Sequence, residues 1–145
     1  MKYTCETTIN LPRNRVAELY NDPDNLPKWQ PGLRSFDLIS GEYATEGSKS
    51  KIVYQMGKRE LEMIETLEVY NLPEEFTALY ETKGVWNRNQ NRFIDLGDST
   101  EWVMDCEFRC DGFLKIMAFL MPGMFKKQTN KMMADFKAFA EAQGA

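Results

Sequence analysis

Six consecutive segments of this chain alternate apolar and polar residues, and one long helical pattern follows them. The segments are residues 33–40, 50–56, 60–70, 75–81, 85–96 and 100–110. In the last segment Trp102, Met104, Cys106 and Phe108 share one face. Such alternation predicts strands that are covered on one side, and the short connections predict antiparallel pairing. The chain therefore needs an element that covers one face of a sheet.

The C-terminal segment, residues 113–143, is the only stretch long and apolar enough to cover that face. Its second part places Phe125, Met132, Phe136 and Phe139 at helical spacing. Ten of the thirteen residues from 113 to 125 are apolar. We expect that part to be enclosed by the fold or to face an apolar partner. Pro122 predicts a break in the helix.

The N-terminal region completes the predicted order of elements. Residues 3–9 alternate as a strand, and Pro12 suits the first turn of a short helix. A second short helix is predicted within residues 21–29, before turn residues 30–32. The result is an α+β chain of strand, two short helices, six strands and a long helix. At 145 residues we expect a single domain, 1–145.

The composition excludes several kinds of chemistry. The chain has no histidine, which excludes Ser-His and Cys-His catalytic pairs and histidine metal ligation. A net charge of −4 argues against a nucleic-acid surface. No stretch reaches the ~20 apolar residues of a membrane span, and residues 1–6 lead directly into a strand. We expect a cytoplasmic protein with reduced cysteines and without metal or cofactor.

Four stretches of the sequence resemble a known superfamily. They are the strand that leads into residues 11–19, residues 22–32, the break at residues 70–76 and the amphipathic last helix. The chain resembles the START and polyketide-cyclase superfamily (SRPBCC, the helix-grip fold), most of all its small polyketide-cyclase/dehydrase-like branch. The resemblance implies a curved seven-stranded antiparallel sheet that grips the last helix. It also implies a cavity between them, with residues 113–125 as a wall beside its mouth.

Glu65 is the main candidate for acid–base chemistry. It interrupts the apolar series formed by Leu61, Met63, Leu67 and Val69. An inward carboxyl would have a raised pKa because burial disfavours its charge. The alternative is that Glu65 pairs with an arginine (Arg59, Arg88 or Arg92) or turns outward at a bulge. Tyr54 and Tyr80 are the other catalytic candidates.

The predicted ligand contacts are large apolar or aromatic residues with a few polar groups among them. They are Trp29, Tyr54, Met63, Glu65, Tyr80, Asn87, Asn91, Trp102, Met104, Met117, Phe125 and Met132. For the aromatic residues the alternative is ordinary core packing. The sequence leaves open which face of residues 85–96 points inward, because the asparagine face and the arginine face both mix polar and apolar groups.

Three functions follow as hypotheses from these patterns. The first is binding or carriage of a small apolar ligand, such as a lipid, isoprenoid or polyketide-like compound. The second is a cyclase or dehydratase that uses a pocket carboxylate or tyrosine. The third is a protein-interaction module of the chaperone-cofactor kind. Lys126, Lys127 and Lys131 beside the apolar segment suggest transient membrane contact. The expected state is a monomer or a homodimer.

Overall fold

A computed structural model of the protein describes residues 1–144 and contains one antiparallel sheet with helices on its concave side. The strands in these residues are β1 (Lys2–Ile9), β2 (Leu33–Ser40), β3 (Lys49–Met56), β4 (Arg59–Asn71), β5 (Glu75–Thr82), β6 (Val85–Asp95) and β7 (Thr100–Cys110). The helices are α1 (Arg13–Asn21), α2 (Leu26–Trp29), α3 (Gly112–Leu120) and α4 (Gly123–Gln143). A 3₁₀ turn, Pro23–Asn25, precedes α2.

The seven strands follow the order β1-β7-β6-β5-β4-β3-β2, and every neighbouring pair is antiparallel. Consecutive strands from β2 to β7 pair directly, as their short connections predicted. Gly57, Gly84 and Gly97 take positive φ at three of the turns, a conformation that glycine adopts without steric cost. Because β1 and β2 lie at opposite edges, the chain between them crosses the concave face as α1 and α2.

An aromatic cluster fills the space between the helices and the β5–β7 part of the sheet. The Tyr20 ring lies between 4.8 and 6.0 Å from five other rings, measured between centroids. Those rings belong to Trp29, Phe76, Phe93, Trp102 and Phe136. Most of these side chains are almost fully buried. Rings at such separations attract each other edge to face, beyond the gain from burying their apolar area.

The C-terminal segment is divided where Pro122 predicted a break. Helix α3 ends at Leu120, Met121 leaves helical geometry, and α4 begins at Gly123. Helix α4 packs along β1 and buries Met133, Phe136 and Ala140. Helix α3 buries none of its residues. The expectation that the fold encloses residues 113–125 is therefore wrong, because α3 stands away from the core.

The predicted architecture is confirmed: a seven-stranded antiparallel sheet grips a long C-terminal helix. The predicted second short helix is divided into the 3₁₀ turn and α2. The three cysteines are free thiols, with Cys5 and Cys106 buried. No helix within residues 1–144 combines the length and apolar character that crossing a membrane requires.

Candidate functional site

An open pocket lies between the concave face of β3–β5 and the chain that crosses it. Its volume is about 80 Å³. Aromatic and aliphatic side chains form most of its wall. The wall also contains two amides, Asn21 and Gln30, and one carboxyl, Glu65. The lining residues are Tyr20, Asn21, Leu26, Gln30, Leu33, Phe36, Tyr43, Ala44, Ile52, Tyr54, Glu65, Leu67, Tyr70, Leu72, Phe76 and Tyr80. An apolar wall with few polar groups is typical of small-molecule sites.

The strand register brings the three catalytic candidates to this pocket. Glu65 on β4 stands directly opposite Tyr80 on β5 and opposite Ser50 on β3. Tyr54 lies four residues beyond Ser50, so its side chain points to the same face. A register shift between Leu67 and Val69 follows in β4. Because of the extra residue, the Tyr70 side chain points to the inward face, where it lines the same pocket as Glu65.

Three tyrosine hydroxyls are held by hydrogen bonds to residues next to the short helices. Tyr54 donates to Gln30 Oε1 at 2.7 Å. Tyr43 donates to the carbonyl oxygen of Asn21 at 2.6 Å, and Tyr70 donates to Asn21 Oδ1. These bonds fix the tyrosine side chains between the strands and the crossing chain. Glu65 and Tyr80 stand opposite each other in the same pocket.

Glu65 retains its proton more readily than an ordinary glutamate. Burial raises the pKa of its carboxyl, and interaction with the Tyr80 hydroxyl lowers that pKa by a smaller amount. The side chain is half-exposed because it lines an open pocket, although protein atoms enclose it on the other sides. A protonated carboxyl donates as well as accepts a hydrogen bond.

The three arginines predicted as possible partners of Glu65 do not form an ion pair with it. Arg88 Nε pairs with Glu68 Oε2 at 2.9 Å, and Arg92 Nη2 pairs with Asp105 Oδ2 at 3.3 Å. Among residues 1–144 no ion pair involves Glu65 or Arg59. The arginine-paired alternative for Glu65 is therefore wrong.

The pocket tyrosines are neutral hydrogen-bond donors at physiological pH. Desolvation raises the pKa of Tyr20, Tyr54 and Tyr80 above the ordinary value, and the nearby Glu65 charge adds to the effect. Burial raises the pKa of Tyr43 to about 12. Phenolate nucleophiles are excluded here, whereas donation to a ligand oxygen is favoured.

The asparagine face of β6 points inward, which resolves the open choice for that strand. Asn91 is fully buried, and its Oδ1 accepts a hydrogen bond of 2.9 Å from Trp102 Nε1. Asn87 Nδ2 donates to Asn89 Oδ1 at 2.9 Å and to the Glu107 carbonyl oxygen at 3.0 Å. These amides pair with the protein itself, and none of them lines the pocket.

The other predicted contacts lie outside the pocket. Trp29, Trp102 and Met104 are buried in the core. Met63 is half-exposed on β4, and Met132 packs against the core from α4. The Phe125 ring packs on Phe108 with 4.8 Å between centroids.

The expected place of the cavity beside the last helix also differs from the structure. None of the residues of α3, Met117 included, or of α4 lines the pocket. The aromatic cluster occupies the space beneath α4, so the opening is displaced toward α1, α2 and the β2–β3 connection. Residues 113–125 are therefore not a wall of this pocket.

Sequence reasoning missed the tyrosines and amides contributed by the crossing chain and the β2–β3 connection. Five of the six tyrosines of the chain line the pocket. Tyr70 belonged to a predicted strand, but the β4 bulge reverses its expected face. Tyr43 lies in a connection without a periodic pattern, so no sequence signal marked it. Tyr20 followed Val16 and Leu19 as an apolar helix position, which predicts burial and no more.

The comparison with known families gives a match over nearly the whole chain. The family described as polyketide cyclase / dehydrase and lipid transport matches residues 1–141. The chain belongs to this family. A search of curated protein sequences gave no significant match.

Several solved structures share the fold of this chain. A conserved protein from Geobacillus kaustophilus has a TM-score of 0.82 at 16% identity, covering 98% of this chain and 96% of its own. The Zhui aromatase/cyclase from Streptomyces sp. R1128 has a TM-score of 0.80 at 12% identity, with 100% and 96% covered. At such identities the likeness establishes the fold alone.

A third structure is a ligand complex with the same fold. Norcoclaurine synthase from Thalictrum flavum, with dopamine and hydroxybenzaldehyde, has a TM-score of 0.74 at 13% identity. The alignment covers 100% of this chain and 88% of that one. Family members and structural neighbours therefore include ligand-binding proteins and cyclizing enzymes.

Proposed function

We propose that this protein binds a small, mostly apolar molecule that carries a carbonyl or hydroxyl oxygen. The observation that carries the proposal is the Glu65 carboxyl, which faces Tyr80 inside an aromatic pocket. Apolar contacts supply affinity at about 25 cal/mol per Å² of buried surface. The Tyr80 phenol and the Glu65 carboxyl, whose raised pKa favours its protonated form, supply orientation, because both donate to a neutral oxygen in that form.

The pocket volume limits what enters without rearrangement. A volume of about 80 Å³ is smaller than the roughly 150 Å³ of an engineered cavity that holds benzene. We infer that the oxygen-bearing end of the ligand enters first, and that a larger body requires the β2–β3 connection to move outward. That connection carries Tyr43 and Ala44 in the wall, and Ala44 has a positive φ of 61°. Sparsely populated backbone geometry of this kind often accompanies ligand clamps.

The test is a comparison of ligand retention between three variants of β4. Native mass spectrometry of gently purified protein, followed by extraction, identifies the bound ligand class, and titration gives the affinities. Glu65→Leu removes both hydrogen-bonding functions, and we expect roughly tenfold weaker binding. Glu65→Gln keeps a neutral donor and acceptor, so we expect affinity within a fewfold of the original. Glu62→Gln is the matched control, since Glu62 lies on the opposite face and pairs with Lys51 at 3.4 Å.

Two outcomes would contradict the binding proposal. One is a clean unliganded mass together with no uptake from a panel of lipids, isoprenoids and polyketide-like aromatics. The other is equal loss of affinity in Glu65→Leu and Glu62→Gln, which would assign the effect to the strand and not to the pocket.

A second candidate function is acid–base catalysis on the bound molecule, as in a cyclase or dehydratase. The observation that favours it is the convergence of a carboxyl with raised pKa, Glu65, and the Tyr80 phenol. Glu65 would donate its proton to a carbonyl or departing hydroxyl oxygen and recover one from an adjacent carbon. Tyr54 would orient the substrate, although Gln30 already accepts its hydrogen bond. Positioned general acids contribute about 10²–10⁴-fold in rate.

Glu65→Gln separates the two candidates because glutamine binds but does not transfer a proton. An enzyme would lose at least a hundredfold in turnover while ligand affinity stays near the original. A carrier would show no turnover in either protein. A filled interior would have favoured the interaction-module hypothesis, and the open pocket does not.

A further inference from the structure

Helix α3 displays apolar side chains to solvent over most of its surface. Phe119 is 84% exposed, Phe113 72%, Leu120 66% and Ile116 57%. Seven of the fourteen large exposed hydrophobic residues of the chain lie between positions 113 and 124. Contiguous exposed apolar surface on a folded domain generally marks a contact site.

The helical period gathers the most exposed of these residues on one side. At 100° per residue, Phe113, Ile116, Phe119 and Leu120 fall within one outward arc of about 120°. Ala118 lies on the opposite side and Met117 lies beside the edge of the arc, and both are half-buried. The helix thus turns an apolar face away from the core, which is the reverse of an ordinary surface helix.

The charge around α3 is mostly positive, although Asp111 immediately precedes the helix and Lys131 pairs with Asp135 at 2.7 Å. Residues 112–134 contain four lysines and neither aspartate nor glutamate. This segment carries +4 in a chain of −4, so the remainder carries −8. Lys115 lies within α3, and Lys126 and Lys127 open α4. Among residues 1–144 no ion pair involves these three lysines.

Helix α3 and the lysines at the start of α4 are close together in the chain. Helix α3 ends at Leu120, just before the Met121–Pro122 break, and Lys126 and Lys127 follow in the first turns of α4. The Tyr3 hydroxyl lies 2.8 Å from Thr129 Oγ1 and donates to the Phe125 carbonyl oxygen at 3.2 Å. These contacts tie the first turns of α4 to β1 and so hold the lysines within a few residues of the end of α3.

We propose that α3 docks this protein on an anionic lipid bilayer, with its apolar arc in the interface and the lysines against the headgroups. An apolar helix face flanked by lysines is the pattern of helices that lie in the membrane plane. A second copy is a poorer occupant, because a symmetric α3 contact would bring like-charged lysines together. Nine residues span only about 13 Å at 1.5 Å each, so the helix lies on the bilayer and does not cross it.

Docking is independent of ligand binding in the Glu65 pocket. Helix α3 follows β7 at the end of the sheet that holds the Gly57 and Gly84 turns. The pocket lining includes no α3 residue. Failure of docking would leave the binding proposal intact, and an unliganded pocket would leave docking intact.

The experiment is flotation of the full chain with two kinds of vesicle, phosphatidylcholine alone and phosphatidylcholine mixed with phosphatidylglycerol. We expect flotation with the anionic vesicles only, weakened by added salt. Ile116→Ser with Phe119→Ser should reduce the partition coefficient at least tenfold, since both side chains enter the interface. Lys126→Gln with Lys127→Gln should reduce it at least fivefold, because each lysine near such a surface contributes about that factor.

Matched controls carry the same chemical changes far from α3. Ile94→Ser with Leu96→Ser alters exposed apolar residues beside the β6–β7 turn, at the opposite end of the sheet. Lys49→Gln with Lys51→Gln removes two charges from β3. Both should float like the original protein. Circular dichroism verifies that each variant is folded.

Three results would overturn the proposal. One is absence of flotation with anionic vesicles by a folded protein. Another is equal flotation by the α3 variants and their controls. The third is a dimer in sedimentation analysis that Ile116→Ser with Phe119→Ser converts to a monomer, since α3 would then be an interface between copies.

Discussion

The concave face of the sheet has two halves that use aromatic residues in opposite ways. Beside β6 and β7, Phe93, Trp102 and Phe136 interlock, and each is at most 2% exposed. Beside β3–β5, most of the rings that surround a space of about 80 Å³ are tyrosines, and Tyr20 contributes to both halves. Phenylalanine and tryptophan fill volume, whereas tyrosine keeps a hydroxyl that needs a partner. The comparison indicates that one half stabilises the fold and the other half is available to a ligand.

The largest loss of stability is expected from a large-to-small substitution in the filled half, beside β6 and β7. Trp102→Ala should lower the free energy of unfolding by about 3–5 kcal/mol, because it leaves a cavity between Phe93 and Phe136. Urea denaturation measures the change. Phe119→Ala removes an aromatic ring from solvent-facing α3 and should cost less than about 0.5 kcal/mol. Similar costs for the two substitutions would contradict the contrast between core and α3.

A smaller effect tests the buried polar bond that fixes the filled half. Asn91→Leu leaves Trp102 Nε1 without its acceptor and should cost about 1–3 kcal/mol. In a Trp102→Phe background the same substitution should cost much less, because no indole N–H remains to satisfy. A double-mutant cycle by urea denaturation yields the coupling. Additive costs would show that Asn91 acts through something other than this bond.

Substitutions in the open half, beside β3–β5, should cost less stability than those in the filled half. Tyr54→Phe removes the hydroxyl that donates to Gln30 and should cost about 0.5–1.5 kcal/mol. Its larger consequence should appear in ligand binding, through a wall that is no longer fixed. Denaturation and ligand titration of the same variant separate the two effects. A loss of stability as large as that of Trp102→Ala would place Tyr54 in the core.

The smallest change in the free energy of unfolding at any single pH is expected from Glu65→Gln. The way this change depends on pH tests whether the pKa of Glu65 is raised. The folded state raises the pKa of Glu65. The stability due to its bound proton is complete below the ordinary glutamate pKa of about 4.3 and is lost as the pH rises through the folded-state pKa. Glutamine does not ionise, so Glu65→Gln should gain stability relative to the original protein as the pH rises through that window. Urea denaturation at several pH values tests this.

The matched substitution for the pH series lies on the same strand. Glu62→Gln alters an exposed carboxylate on the outward face of β4. Its stability relative to the original protein should lack the gain expected of Glu65→Gln. Parallel curves for the two variants would show that Glu65 is an ordinary surface carboxylate.

The sequence predicted the sheet, the helix order and the break at Pro122, because these follow from local periodicity and from single residues. It also raised the hypothesis that Glu65 is an inward carboxyl, beside the alternatives of an arginine pair or an outward bulge, and Glu65 lines the pocket in the structure. The sequence did not predict the position of the pocket. Alternation gives the face of a side chain, but it does not show whether Trp29 or Phe136 fills the space above that face.

Two features of the structure lay outside what the sequence showed. The bulge after Leu67 turns Tyr70 to the inward face, and a bulge leaves no reliable mark in sequence. The apolar residues 113–125 were expected either to be enclosed by the fold or to face an apolar partner. The structure leaves α3 without a buried residue, so only the second alternative is still a prediction.

The central claim is that Glu65 is a carboxyl inside a pocket and that burial raises its pKa. The direct measurement is a ¹³C NMR titration of the glutamate side-chain carboxyl resonances, with Glu65→Gln used to assign the signal. We predict that the Glu65 resonance titrates above the ordinary glutamate pKa of about 4.3, and that Tyr80→Phe moves its midpoint higher still, because the Tyr80 hydroxyl lowers the pKa. A midpoint for Glu65 within the range of the surface glutamates would contradict the claim and remove the basis for the proposed ligand contact.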